Sequence, residues 1–555
     1  MKRCPKCRRD YRDETLLYCL DDGSALLDGP STRDVPTEVL ADRPADSEKP
    51  TKIFEPEQVE KKASLSRRTI LIAILLAIAA AAGVAGYLYF RGPNRPIDSI
   101  AVMPFLNESE SPDIEYLSDG MTETLIGSLS QIPNLSIKAR SSVFRYKGKE
   151  TNAQTIGREL AVQAILTGRV VQRGQDLTLY VELVEAQSEN SLWKQTYNKT
   201  MTNLVSLQNE IARDVAESLK LKLSGPVQQK LTKNSTIDPE AYQLYLKGRF
   251  HTLKNTRQDL LKAVPYLEQA TDIDPNYALA YVGLADAYRG LALSGHMRPI
   301  EYFPKAKAAA IKAVEIDASS AEAHSMLGWI VFWYDWDWAE AERHCKKALE
   351  LDPNNGEAHL FYAHVLSVSG RPDEAIAEAR RAREAEPLNL RTSASEAQFL
   401  IHAGKPAEAL ILLEKAIELD PNYWFAYQFA ASAYIEMGMY DEAAAAARKG
   451  IELYSINSRS AAFLCYALAK AGKRSEALAA LEELLKPSAG YFASPYNIAL
   501  AYNGLGESDQ SLKWLERGIE QRDPRMTSIV TERKWKNLRD DPQFKALIRK
   551  MGFPE

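Results

Sequence analysis

A chain of 555 residues is too long for one hydrophobic core and should divide into about three or four modules. With 69 basic and 74 acidic residues the formal charge is -5, so no chain-wide attraction to nucleic acid is built in. Five cysteines are too few for a disulfide scaffold, and three of them fall within the first 19 residues.

The amino terminus reads CPKCRRDYRDETLLYCLDDG. Cys4 and Cys7 form a C-x2-C pair, and the same spacing counted from Cys19 lands on Asp22. A carboxylate is an accepted zinc ligand, so Cys4, Cys7, Cys19 and Asp22 make a chemically sound tetrahedral set for structural zinc. Gly23 supports the sharp turn that follows such a pair. Residues 1–28 resemble the short zinc ribbons that begin many bacterial membrane proteins, with CPxCG followed by CxxCG. Arg8 replaces the first knuckle glycine and Asp22 the fourth cysteine. So short a segment has no core of its own, and metal binding and folding would be one event. The alternative is a degenerate ribbon that no longer holds metal. The many Lys and Arg of the first dozen residues read as a solvated face, and contact with nucleic acid is not expected.

Residues 29–68, rich in Pro, Asp, Glu and Ser, read as a disordered linker. TILIAILLAIAAAAGVAGYLYF, residues 69–90, carries no charge and is long enough at about 1.5 Å per residue to cross a bilayer core of about 30 Å. Lys61, Lys62, Arg67 and Arg68 outweigh Arg91 and Arg95, which favours a cytoplasmic amino end. The expectation is a single-pass bacterial inner-membrane protein with its carboxyl-terminal region in the periplasm.

SIAVMPF (99–105) predicts a buried strand, and YLSDGMTETLIGSLSQIPNL a helix with Ser118 or Asp119 as its cap. A strand at 135–142, a helix in TIGRELAVQAIL, strands near 164–171, 177–186 and 191–200, and a closing amphipathic helix complete a mixed α/β domain. These motifs, in this order, resemble the TolB-like amino-terminal domain, related to the FlgO-like domain, over residues 97–224. The resemblance implies a bacterial envelope or signalling protein and fixes no biochemical role. No histidine lies between 91 and 250, and neither a GxxxxGK[ST] nor a GxSxG motif occurs, so no enzyme chemistry is expected.

Ala341, Ala375, Ala409, Ala443, Ala477 and Ser511 recur every 34 residues, small side chains that let two helices cross closely. Seven residues on, Ala348, Ala382, Ala416, Gly450, Leu484 and Gly518 are mostly small, and Pro353, Pro387 and Pro421 follow helix ends. The period resembles that of tetratricopeptide repeats. With earlier units centred on Ala263 and Ala306, about eight hairpins should span 238–523, and residues 524–555 should cap the last open face. Cys345 and Cys465 sit at core positions, and the tryptophans of WIVFWYDWDWAEAER read as aromatic packing in a lengthened repeat. The resemblance places the first helix of each hairpin on the concave side. Mapped onto this chain, the period nominates His364, Gln398, His402, Gln428, Glu436, Arg459, Tyr466, Lys470, Tyr496 and Asn503 as residues facing a guest peptide.

The fold class expected is therefore multidomain: a short zinc ribbon, one transmembrane helix, an α/β domain with a mixed sheet, and an all-α tetratricopeptide superhelix. The expected function is a membrane-anchored scaffold that binds partner proteins or peptides. The alternative is a membrane-spanning signal transducer whose ribbon contacts nucleic acid or a regulator.

Overall fold

The computed structural model describes residues 2–3, 10–11, 27–28, 97–109, 114–132, 135–219, 236, 238–386, 389–455, 457–486 and 492–554. They fall into two compact units, one within Met1–Pro93 and one within Asn94–Glu555. In the first, strands β1 (Lys2–Arg3), β2 (Asp10–Tyr11) and β3 (Leu27–Asp28) pair antiparallel in the order β2-β1-β3. The four residues nominated for zinc, the linker 29–68 and the apolar stretch 69–90 lie outside the described residues. Among the described residues no helix is long and apolar enough to cross a membrane.

The second unit begins with an α/β domain. Its elements are β4 (Ser99–Val102), β5 (Leu106–Asn107), α1 (Glu115–Ser130), β6 (Ser136–Ile137), α2 (Arg140–Val143), α3 (Ala153–Leu160), β7 (Ala164–Arg173), β8 (Asp176–Glu185), β9 (Ser191–Thr200) and α4 (Leu204–Ser218). The sheet is mixed, in the order β6-β4-β7-β8-β9, with β5 also pairing β7. β4 runs parallel to β6 and β7, whereas β7, β8 and β9 form an antiparallel meander. Ile100, Ala101 and Val102 of β4 are fully buried, as an interior strand with two parallel neighbours requires. The helix α1 starts at Glu115, one turn before the expected cap; Asp119 lies inside it, buried, and pairs with Lys147. The strand expected at 135–142 pairs only at Ser136–Ile137, after which the chain turns into α2.

Sixteen helices follow as eight antiparallel hairpins. The pairs are α5 (Pro239–Lys254) with α6 (Arg257–Ile273), α7 (Ala278–Leu293) with α8 (Pro299–Ile316), α9 (Ala321–Ile330) with α10 (Trp338–Leu351), and α11 (Gly356–Val368) with α12 (Pro372–Ala385). After these come α13 (Leu390–His402) with α14 (Pro406–Leu419), α15 (Trp424–Glu436) with α16 (Tyr440–Leu453), α17 (Ser458–Lys470) with α18 (Arg474–Leu485), and α19 (Pro495–Leu505) with α20 (Ser508–Glu520). The six small residues at the 34-residue interval are all buried, from Ala341 to Ser511. Each first helix packs on the first helix of the next hairpin, so the odd-numbered helices α5 to α19 form the inner layer of a curved array.

A second periodic device sits between the helices of the later hairpins. Gly370, Gly404, Gly438, Gly472 and Gly506 are also 34 residues apart, and all have φ between 71° and 81°. The residue after each donates its N–H to a carbonyl five positions back, from Arg371 to Leu366 (3.0 Å) through to Glu507 to Tyr502 (3.0 Å). This satisfies the carbonyls left over at each helix end and reverses the chain in a left-handed conformation that glycine adopts without strain. The third hairpin departs from the pattern. Its inner helix α9 starts 35 residues before α11, and the extra residue is absorbed in a π turn at Val331–Asp335. Trp336 then takes the glycine's place at φ 60°.

The domain and the array share one continuous core. Thr124 of α1 lies 3.0 Å from the Tyr242 hydroxyl, which donates to Gln208 of α4 at 2.6 Å. Arg249 of α5 bridges Glu123 of α1 (2.7 Å) and Asp286 of α7 (3.0 Å). Farther round the curve Ser141 donates to Glu386, and the Phe492 N–H donates to the Gly295 carbonyl at 2.8 Å, tying the loop of the second hairpin to the approach to the eighth.

Close crossing of inner helices makes a paired forecast for glycine replacements. A Cβ at Gly504 would lie 2.6 Å from the Tyr466 Cα, whereas at Gly127 it would meet nothing within 4 Å. In chemical denaturation Gly504→Ala should lose about 1–3 kcal/mol through overpacking, and Gly127→Ala should gain about 0.5–1 kcal/mol through helix propensity.

Candidate functional site

The inner helices enclose a trough, and the carboxyl-terminal segment of the chain lies in it. After α20 the chain makes two 3-10 turns, Pro524–Ser528 and Arg533–Leu538, and a last helix α21 (Pro542–Lys550). The segment enters the trough at Asp523, which is fully buried. Its carboxylate accepts from the Ser494 hydroxyl (2.6 Å), the Tyr496 N–H (3.0 Å) and the Arg525 N–H (3.0 Å). Burial raises the Asp523 pKa, and these donors oppose the rise.

Trp535 is the apolar anchor: it is fully buried, its Nε1–H donates to the Tyr496 hydroxyl at 2.8 Å, and the two rings meet edge to face at 5.5 Å. Around it stands a buried ion network. Arg459 donates to Glu532 at 2.9 Å, with side chains only 5% and 1% exposed. Lys534 donates to Glu532 (2.7 Å), to Glu436 (2.9 Å) and to the Ser432 hydroxyl (2.9 Å). Desolvation would raise the Glu532 carboxyl pKa, but the charges of Lys534 and Arg459 outweigh it and hold it at about 2. Asn503 binds the tail backbone, donating to the Lys534 carbonyl at 2.7 Å and exchanging hydrogen bonds with Asn537. At the other end Phe553 stacks on Trp338 (4.6 Å between centroids), and the Trp338 Nε1–H donates to the Met551 carbonyl at 3.2 Å. Arg522 lies 4.5 Å over Trp336, the residue held at positive φ.

Of the ten nominated trough residues, Glu436, Arg459, Tyr496 and Asn503 therefore touch the chain's own tail. His364 packs among Trp329, Trp333 and Phe399, and burial together with nearby His402, Arg391, Arg525 and Arg459 holds its pKa well below the usual value. Burial lowers the His402 pKa to about 4, and its Nδ1 has no partner. Gln398 and Gln428 are buried on α13 and α15. Tyr466 is buried against Gly504 of the next inner helix, and only Lys470 is exposed. The tail meets the last hairpin, where Lys550 pairs with Glu516, but its main course runs along the trough to Trp338, beyond the end-capping role expected of it. The apolar residues of the tail were visible as a buried set in the sequence. Glu532, Lys534 and Asp523 carried no signal there, because a charge inside a buried network is indistinguishable in one sequence from a solvated one.

The trough stays open toward its first hairpins. There α1 and the inner helices α5, α7, α9 and α11 bound a cavity of about 300 Å³ lined by Tyr242, Tyr245, Tyr277, Glu322 and Phe361, among others. Among the described residues no cluster of His, Cys, Asp and Glu is arranged to hold a metal ion. Cys345 and Cys465 are free and buried, and burial pushes both thiol pKa values up to about 12.

Two sequence families match the second unit. Residues 97–214 match the family described as HilA/YgeH-like transcriptional regulator, second domain, and residues 336–397 and 400–454 match tetratricopeptide repeats. Among curated proteins, "Putative adenylate cyclase 3" of Rhizobium meliloti is 28% identical over 242 residues, 43% of this chain and 41% of that protein. Transcriptional regulator HilA of Salmonella typhimurium is 24% identical over 288 residues, 51% of this chain and 50% of that protein. The chain thus spans half the length or less of these relatives. Among solved structures, Pseudomonas aeruginosa pilF is 25% identical, covering 39% of this chain and 96% of that one with a TM-score of 0.30.

The ion network makes tail docking sensitive to charge and to acid. Glu532→Gln should destabilise the docked tail by about 3–5 kcal/mol, since it leaves two buried cations under-compensated; protease sensitivity after Asp523 would report it. Glu532 has a folded pKa below its ordinary 4.5, and His402 one below its ordinary 6.5. The contribution of Glu532 is whole above pH 4.5 and is lost as pH falls toward about 2, and that of His402 is whole above pH 6.5 and is lost as pH falls toward about 4, with Asp523 working in the opposite sense. Tail protection should therefore decline on acidification from pH 6.5. The matched helices and hairpins identify the region from residue 336 to residue 454 as tetratricopeptide repeat.

Proposed function

We propose that this protein is a docking scaffold whose tetratricopeptide trough receives a polypeptide segment of a partner in exchange for its own tail. The observation that carries this reading is the tail itself. Residues Glu532 to Leu538 are held in the trough by a backbone contact from Asn503, an aromatic anchor at Tyr496 and a charge clamp from Arg459 and Glu436. A surface that seats one short peptide with this chemistry suits another that offers a carboxylate, an ammonium and an aromatic ring at matching positions.

The scaffold is proposed to be anchored in the bacterial inner membrane by residues 69–90, with its amino terminus cytoplasmic and the array in the periplasm. The uncharged run and the excess of basic residues before it support this topology. A structural zinc on Cys4, Cys7, Cys19 and Asp22 is proposed for the amino-terminal segment on the ligand spacing. The motifs of residues 97–224 support kinship with TolB-like and FlgO-like envelope domains as well. A second reading, as a regulator that relays a signal across the membrane, is favoured by the match of residues 97–214 to the second domain of HilA-like regulators. Under it the amino-terminal ribbon would contact nucleic acid or a regulatory protein, so a fragment of residues 1–30 that retains no nucleic acid at low salt would remove the DNA-contacting form.

The scaffold reading is tested by deleting residues 524–555 and offering them back as a labelled synthetic peptide. The truncated chain should bind the peptide with micromolar affinity, and Arg459→Glu should abolish binding. Circular dichroism and thermal unfolding would verify that the truncated array is folded. A folded array that ignores the peptide would end the proposal.

A further inference from the structure

We infer that the cavity between α1 and the first four inner helices is a binding site for a small organic ammonium ion, recognised by the Glu322 carboxylate, the Ser325 and Tyr245 hydroxyls and the surrounding aromatic rings. The cavity holds about 300 Å³, at the lower end of the range for small-molecule sites. Its walls are the rings of Tyr242, Tyr245, Tyr277 and Phe361, with Tyr245 and Tyr277 meeting edge to face at 5.1 Å.

Four carboxylates line this space, and three are already neutralised. Glu123 and Asp286 share Arg249 at 2.7 and 3.0 Å, and Glu357 is held by Arg391 at 2.6 Å. Glu322 is the exception: among the described residues no basic side chain pairs with it, and its one side-chain partner is the Ser320 hydroxyl at 3.1 Å. Desolvation, with Asp352 and Asp317 nearby, raises its pKa, as a half-buried carboxyl with no cation beside it should behave. One turn along the same helix Ser325, only 4% exposed, lines the cavity with an Oγ that has no hydrogen-bond partner. A buried hydroxyl left unpaired in this way is uncommon in native proteins.

The chemistry selects the guest class. An anion would meet the uncompensated Glu322 carboxylate, and a purely apolar guest would leave the Ser325 Oγ without a partner. A hard metal ion needs about six oxygens, more than one free carboxylate and two hydroxyls provide. An ammonium group donates to the carboxylate and both hydroxyls while its charge lies against the ring faces, the arrangement by which aromatic cages hold amines. The rest of the cavity accommodates a short aliphatic stem.

Isothermal titration of the full-length chain with n-butylamine and 1,4-diaminobutane tests the site, with 1,4-butanediol as the uncharged control. Binding of the amines, no binding of the diol and at least about a tenfold loss in Glu322→Gln would support the assignment. That variant removes an unpaired charge and should keep the thermal midpoint, so a loss of binding cannot be ascribed to unfolding. The absence of amine binding at millimolar concentration would overturn the assignment, and so would equal affinity in Glu322→Gln or equal binding of the diol. A lysine-containing peptide that binds where the free amines do not would overturn the small-molecule form. None of these residues touches the tail, so deletion of residues 524–555 should leave amine affinity unchanged. Failure of this site would then be distinct from failure of the docking reading.

Discussion

The structure depends on how closely adjacent helices can cross. At each 34-residue interval a buried Ala or Ser brings the second helix of a hairpin against its neighbours, and the inner helices stack on one another all along the array. A single hairpin has two apolar faces and can bury only one, so stability requires a neighbour on each side. Because the inner helices are in contact with one another, the row curves and a trough must form. Its shape is thus a by-product of packing, and it presents apolar and polar inner-helix side chains that need an occupant.

Over the later hairpins that occupant is the chain's own carboxyl-terminal segment. Trp535 and Phe553 supply apolar burial, whereas Arg459, Glu532, Lys534 and Glu436 supply direction. Buried ion pairs add little net stability because desolvation offsets most of the Coulomb attraction. They do penalise any register in which a charge loses its partner. The network is therefore best understood as fixing where the tail sits, with the aromatic anchors holding it there. Trp336, at a position that is glycine in the later repeats, tolerates its left-handed backbone while Arg522 stacks on it, so local strain and tail contact coincide.

At the opposite end the α/β domain takes the place of an occupant. Glu123, Arg249 and Asp286 link α1, α5 and α7 in one partly buried network, and Ser141 reaches Glu386 across the curve. Two separated attachments hold the domain against the array more firmly than one would. The domain thus acts as a structural terminus of the array as well as a module in its own right.

The mixed α/β order, the eight hairpins and the buried small positions were legible in the sequence, because each rests on a periodicity of residue size or polarity within one short window. The five glycines at positive φ follow the same period and were equally accessible. The resemblance to tetratricopeptide repeats also put the right helices on the concave side. It did not reveal that Arg459, Asn503 and Tyr496 hold residues 532–537, or that Glu322 and Ser325 face a cavity closed by α1. Those facts join segments 31 to 98 residues apart or more, and the sequence has no term for which distant segment comes to rest against a given face. Local periodicity determined which surfaces this protein possesses; only the closure of the superhelix, through the Gly295–Phe492 contact and the returning tail, decided which of them remain open.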